Sequence, residues 1–246
     1  MEKIKVSIVS YSNTIPFLYG LKSSDLYNEI DLSYDIPSVC AEKLNHREVD
    51  ISLLPVAAVR NFKIITDYCL GGYGKIKSVL LLGNNNIKQI KKIYLDYHSR
   101  TSALLTKILS KNLWKIQPEF IDTSPGFENK QYSKDEAILL IGNRALMYSE
   151  KYMLRLDLAE QWFQLTSLPF VFAVWATNKQ IPDSFIHSFS AALKFGTEHI
   201  DRAVKEIPSP LSEKLLYDYL SNDISFFFDQ KKKEAMKLYF NYASKI

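Results

Sequence analysis

The sequence predicts an α/β protein in two lobes with a ligand cleft between them. Three observations lead there. The N-terminal part alternates apolar runs, Val6–Val9, Leu32–Ile36 and Val49–Val56, with segments that open like helices. Strand–helix alternation of this kind builds a mostly parallel sheet covered by helices on both faces. A middle section supplies strands of its own at Ile93–Asp96, Glu119–Ile121 and Ala137–Gly142. Two further apolar runs, Ser78–Leu82 and Phe170–Ala176, are placed to carry the chain out to that section and back. The boundaries that follow are 1–84 with 177–246 for one lobe and 85–176 for the other, the polar break Gly83-Asn84-Asn85-Asn86 marking a crossing. Clefts between domains are where small ligands bind.

Each element has a local reason. After Val9, Ser10-Tyr11-Ser12-Asn13-Thr14-Ile15-Pro16 opens a helix: Pro16 suits its first turn, and Asn13 or Thr14 is placed to cap it. Pro37-Ser38 starts the next helix, with Val39, Ala41 and Leu44 along it and Ser38 as N-cap. The run to Pro55-Val56 leads into another helix start. Beyond Pro182 the pattern is helical throughout: Phe185, Phe189, Ala192 and Gly196 make one stripe, Leu215, Leu216, Tyr219 and Leu220 another. A last helix, capped by Asp229, carries Ala235, Leu238, Tyr239 and Tyr242, and Phe226-Phe227-Phe228 packs the junction before it. Asp122–Ser133, with Pro125, Gly126 and Asn129, is a loop.

Composition narrows the function. A chain of 246 residues, 47% of them hydrophobic, can bury a sizeable core. The net charge of +4 is spread over scattered lysines, and the one run, Lys231–Lys233, reads as the solvated first turn of a helix. Nucleic-acid binding asks for a concentrated basic face and is disfavoured. A mild positive balance suits an anionic small molecule. Cys40 and Cys69 have no metal-ligand spacing and no partner motif, and read as reduced, buried, small apolar residues. The apolar stretch after Met1 is too short for a signal-peptide core, and no later stretch approaches a membrane span. The expectation is a cytoplasmic protein, a monomer or homodimer, without a membrane partner.

The stretch from Gly74 to Ser102 is the centre of the functional reading. Val79–Leu82 has no polar face, so it is a buried strand, and Ile93-Tyr94-Leu95 is a second. Ser99-Arg100-Thr101-Ser102 then opens a helix along which Leu104, Leu105, Ile108 and Leu109 recur. The first N–H groups of a helix lack partners within it, and its dipole favours negative charge there. A carboxylate-bearing ligand fits such a loop. No Ser-His-Asp, HExxH, P-loop or GxGxxG arrangement is present, which sets aside hydrolase, metalloprotease and nucleotide-enzyme readings.

The segments Ser10–Phe17, Asp50–Ala57, Ser99–Ser102, Ile141–Leu146 and Leu168–Trp175 occur in an order and at spacings that resemble the chorismate dehydratases of the futalosine route to menaquinone, over roughly residues 4 to 200. The resemblance implies a two-lobed fold like that of type II periplasmic binding proteins, used as an enzyme. It implies loss of water from chorismate to give 3-[(1-carboxyvinyl)oxy]benzoate, with no cofactor. It assigns catalysis to Asn13 and Ser78, which would hydrogen-bond the enolpyruvyl group or the leaving hydroxyl. The expected substrate contacts are Thr14, Ser38, Pro55, Val56, Ser99, Arg100, Thr101, Ser102, Asn143 and Phe172. His98 is the one residue of these loops that resembles a general base, and a supporting place in the loop, behind the groups that touch the ligand, suits it better.

Three positions depart from the family pattern: Asn143 where Asp is usual, Ser167 where Gly is usual, and Lys75 where Pro often follows Gly74. Two other functions stay in view. One is the related 1,4-dihydroxy-6-naphthoate synthase type of the same pathway. The other is a non-catalytic small-anion binding protein, which predicts a secretion signal that Met1–Asn13 does not show.

Overall fold

The computed structural model describes residues 3–246. In chain order the regular elements are β1 Ile4–Val9, α1 Ile15–Lys22, β2 Ile30–Asp35, α2 Pro37–Asn45, β3 Ile51–Pro55, β4 Lys63–Gly72 and β5 Val79–Gly83. Then follow β6 Lys92–Leu95, α3 Arg100–Leu109, β7 Glu119–Asp122, β8 Glu136–Ile141, α4 Asn143–Tyr148, β9 Leu154–Asp157, α5 Leu158–Thr166 and β10 Phe170–Thr177. The chain closes with α6 Asp183–Glu198, α7 Ile200–Glu206, α8 Glu213–Asp218, β11 Ser225–Phe227 and α9 Gln230–Ala243.

The chain divides into two compact units: one takes residues up to Gly71 together with Val171–Asp229, the other Gly72–Phe170 together with Gln230–Ile246. The expected boundaries differ on two counts. Gly83 to Asn86 is not a crossing, because β5 lies inside the second unit's sheet between β8 and β9. The last helix also belongs to the second unit: Tyr239 sets its ring 5.4 Å from Phe170 and its hydroxyl donates to the Thr101 carbonyl at 3.2 Å.

In the first unit the strand order is β11-β4-β10-β3-β1-β2. β1 runs parallel to β2 and β3, whereas β10 lies antiparallel to β3, and β11 antiparallel to β4. The sheet is therefore mixed rather than mostly parallel. β4 escapes a pattern search because polar Thr66, Asp67 and Tyr68 interrupt its apolar residues. The region after Pro182 is not all helix either: β11 borders β4, burying Phe226 and Phe228 while Phe227 stays exposed. Phe17, Trp175, Phe189 and Phe226 form an aromatic core with edge-on ring contacts of 5.0 to 5.8 Å. Helices α1 and α6 cross backbone to backbone: a Cβ on Gly20 would lie 1.9 Å from the Ala192 carbonyl oxygen, and one on Gly196 1.8 Å from that of Pro16. Only glycine fits at either place.

In the second unit the order is β7-β6-β8-β5-β9. β6 is parallel to β7 and β8, and β5 is antiparallel to β8 and β9. One edge of this sheet thus collects the C-terminal ends of β6, β8 and β9 and the N-terminal end of β5. Lys232, expected in a solvated turn, is fully buried, with its Nζ 4.6 Å from the centre of the Tyr73 ring. Among the described residues no helix is long and apolar enough to cross a membrane.

Candidate active site

The predicted site residues fall into two groups, one in each unit. In the first unit the chain leaves β1 and makes a short 3-10 turn, Ser12–Thr14, before α1. Neither Asn13 nor Thr14 caps α1 with its side chain, contrary to expectation. Thr14 sits at the N-cap position, but its hydroxyl turns back to the carbonyls of Val9 and Tyr11, each at 2.8 Å. Asn13 is left with a buried Oδ1 that has no hydrogen-bond partner. A buried acceptor left open costs stability in the free protein, about 1–3 kcal/mol, and is the natural place for a donor on a ligand.

The other first-unit residues are less suggestive. Ser38 is the second residue of α2, half-buried, and does not cap it, because Ile36 holds the N-cap position and Pro37 the first turn. Pro55 closes β3 opposite Ala173, and Val56 opens a 3-10 turn rather than an α-helix, its side chain wholly buried. Phe172 is the one half-buried residue in an otherwise buried β10. Below the turn, Asp35 accepts from Ser7 and Ser33 hydroxyls at 2.8 Å and from Lys43 Nζ at 2.7 Å. Burial alone would raise that carboxyl; the bonds from Lys43, Ser33 and Ser7 outweigh it and hold it below the usual range. Both cysteines are free and buried, and burial pushes the Cys40 thiol up to about 11.

The second unit gathers its residues along the sheet edge described above. Ser99 is the N-cap of α3: its Oγ accepts from the Ser102 N–H at 3.1 Å and bonds the Ser102 hydroxyl at 3.1 Å. Ser99, Thr101 and Ser102 are buried, whereas Arg100 is exposed and stands outside this cluster. Ser78, just before β5, is 1% exposed, and its carbonyl accepts the Gly142 N–H at 2.8 Å. Gly142 holds φ 63° and ψ −143°, a backbone region open to glycine alone, and so turns β8 into α4 at Asn143.

Two carboxylates that sequence reasoning passed over organise this edge. Asp96, at the end of β6, accepts the N–H groups of His98 at 3.0 Å and Ile141 at 3.1 Å, and pairs with Arg144. Burial raises its carboxyl against the pull of Arg144. Arg144 also reaches Glu128 at 3.4 Å, with its guanidinium 5.6 Å from the Tyr97 and Phe127 rings. Asp157, at the end of β9, accepts the N–H groups of Ile76, Lys77, Ala159 and Glu160. Burial pushes it up to about 6 in spite of those donors. A lone Asp closing a short strand, followed by a helix start, was the available signal in both cases. Burial, with Arg144 adding to it, drives His98 down to about 4, so this imidazole is neutral at pH 7 and a weak base. Among the described residues no cluster of three or more His, Cys, Asp or Glu could hold a metal ion.

These features define a two-lobed α/β protein of the periplasmic-binding-protein kind. An Archaeoglobus fulgidus protein matches with a TM-score of 0.74 at 14% identity, covering 99% of this chain and 97% of its own. A Candida albicans gene product described as having the generic periplasmic binding protein fold matches at 0.66 and 16% identity, covering 100% and 94%. The ligand-binding component of an ABC-type import system from Staphylococcus aureus gives 0.68 and 14%, covering 100% and 92%. Within that class, the family described as Menaquinone biosynthesis matches residues 4–245, and the chain belongs to it. A chorismate dehydratase from Thermus thermophilus is 27% identical over 203 residues, 74% of this chain and 72% of that one.

Proposed function

We propose that this protein is a chorismate dehydratase, a hydro-lyase that acts in the cytoplasm on the futalosine route. Membership of the menaquinone family across residues 4–245 carries the reading, and the dehydratase relative supports the substrate. The proton lost comes from the ring carbon bearing the enolpyruvyl ether, and the neighbouring hydroxyl departs with it as water. Aromatisation drives the step, and the ring carboxylate conjugated to the ene holds negative charge as the proton leaves. The protein then needs to supply positioning and donors aimed at developing charge more than a strong base. His98, neutral and weakly basic, fits that requirement poorly as a base. The substrate's own side-chain carboxylate takes the proton in this scheme. Asn13 and Ser78 are the catalytic residues, and the Ser99–Ser102 turn takes a carboxylate. The open Oδ1 of Asn13 supports its place, since the departing hydroxyl is a donor.

The test is to mix the purified protein with chorismate and follow products by chromatography and mass. Loss of one water with formation of the aromatic enolpyruvyl ether is expected. Binding without turnover would replace the reading by an anion receptor. Neither binding nor turnover would turn attention to the later naphthoate-forming step.

A further inference from the structure

We propose that Asp157 is a positioning residue for Ser78, holding the backbone that carries the serine from a buried site that does not touch substrate. The inference rests on the reading of Ser78 as catalytic. Its basis is the way the two carboxylate oxygens are divided. Oδ1 accepts from Ala159 at 3.1 Å and Glu160 at 3.3 Å, which is an ordinary N-cap for α5. Oδ2 has no part in that cap. It accepts from the N–H groups of Ile76 at 2.9 Å and Lys77 at 2.6 Å, the two residues that lead directly into Ser78.

The turn so held is an awkward one. Lys77 sits at φ 62°, in the left-handed region that side chains other than glycine's avoid, and persists there only if its surroundings over-determine it. Asp157 clamps it from one side. From the other, the Gly142 N–H binds the Ser78 carbonyl at 2.8 Å. The lever is short, because Asp157 stands opposite Leu80 in the β5–β9 register, two residues from Ser78. Asp157 is itself 1% exposed, so its action on chemistry passes through the turn.

The test is a double-mutant cycle with chorismate on the full chain: wild type, Ser78→Ala, Asp157→Ser and the pair. Serine at 157 still offers α5 a cap, but one hydroxyl is too short to hold residues 76 and 77 as well. We expect Asp157→Ser to lower kcat by about tenfold or more with KM changed less than about threefold. In the Ser78→Ala background the same change should slow turnover by less than about twofold, because the group it positions is gone. Amide exchange at Ile76 and Lys77 should quicken in Asp157→Ser while the α5 amides keep their protection. Equal losses in both backgrounds, or wild-type kcat in Asp157→Ser, would overturn the proposal while leaving Ser78 catalytic. If Ser78→Ala itself turns over at the wild-type rate, the catalytic reading of Ser78 fails and this inference with it. Should Asp157→Ser not fold, Asp157→Asn in the same cycle decides: it keeps one acceptor for the cap and turns an amide NH2 against the other pair of N–H groups.

Discussion

A single nitrogen of Arg144, Nη2, lies 2.7 Å from both carboxylate oxygens of Asp96, whose side chain is completely buried. The pair ties the end of β6 to the first turn of α4. The Ser99–Ser102 turn follows directly from one partner, and Asn143 precedes the other.

Removing one member of a buried pair strands the other charge. Arg144→Ala should lower the unfolding free energy by about 3–5 kcal/mol. Urea denaturation of the variant beside the wild type measures this, and a loss under about 1 kcal/mol would mean the pair is effectively solvated.

Asn13→Ala separates activity from stability. The substitution deletes an acceptor that is already without a partner, so the midpoint of unfolding should hold or rise. Turnover of chorismate should fall by about 10²-fold or more, the scale of losing one well-placed hydrogen-bonding group in a transition state. A variant that unfolds readily and turns over normally would assign Asn13 to the fold alone.

Gly196→Ala should be among the most damaging single-methyl changes in the first unit. The added carbon would meet the Pro16 carbonyl at 1.8 Å, a contact no rotamer can relieve because both atoms are fixed to backbone. A cost of about 3 kcal/mol or more is expected, a fall in Tm of roughly 6–12 °C. Calorimetry on the variant would contradict the close crossing of α1 and α6 if Tm moved by less than about 2 °C.

Ser167→Gly should run the other way. Ser167 ends α5 at φ 57°, exposed, with its N–H bonded to the Phe163 carbonyl, a position where glycine is the unstrained choice. The variant should gain about 1 kcal/mol in chemical denaturation. The serine here bears the strain of a left-handed backbone without a visible return.

His98 should make the protein less stable on the acid side. Its folded value of about 4 lies below the unfolded value of 6.5, so its contribution is whole above 6.5 and is lost as pH falls towards 4. His98→Gln should shrink the difference in stability between about pH 7.5 and pH 5 while leaving turnover within about threefold. A pH profile of stability identical to the wild type's would mean the imidazole titrates in solvent.

Much of this architecture is legible in the sequence. Val6–Val9, Ile93–Asp96, Ala137–Gly142 and Phe170–Ala176 declare themselves as strands because their residues are apolar without interruption or nearly so. β4 and β9 do not, since β4 mixes polar residues into its run and β9 spans only Leu154–Asp157. Side-chain caps are missing where proline leads: at Pro16 and Pro37 the fixed φ of the ring starts the helix, and the Thr14 hydroxyl turns to the Val9 and Tyr11 carbonyls instead. At Ser99, with no proline near, the hydroxyl does cap the helix, as its residue type favours. Asp96, Asp157 and Arg144 could not be ranked from sequence, because their importance lies in which distant amides and charges they meet. Lys232 shows the same limit from the other side: a run of lysines looks solvated until one of them is packed over a ring.

Strand β10 enters the first sheet between β3 and β4, which it joins. On a ribosome, β4 would therefore emerge without its neighbour and wait until nearly a hundred further residues, including every strand of the other sheet, had been made. The second unit waits in turn for α9, the last helix of the chain. Neither unit is one continuous segment, so an order in which one domain folds completely before the next is made is closed to this topology. The exposed edge of β4 in that interval is the point at which a chaperone, or a misplaced strand from another chain, would find its opening.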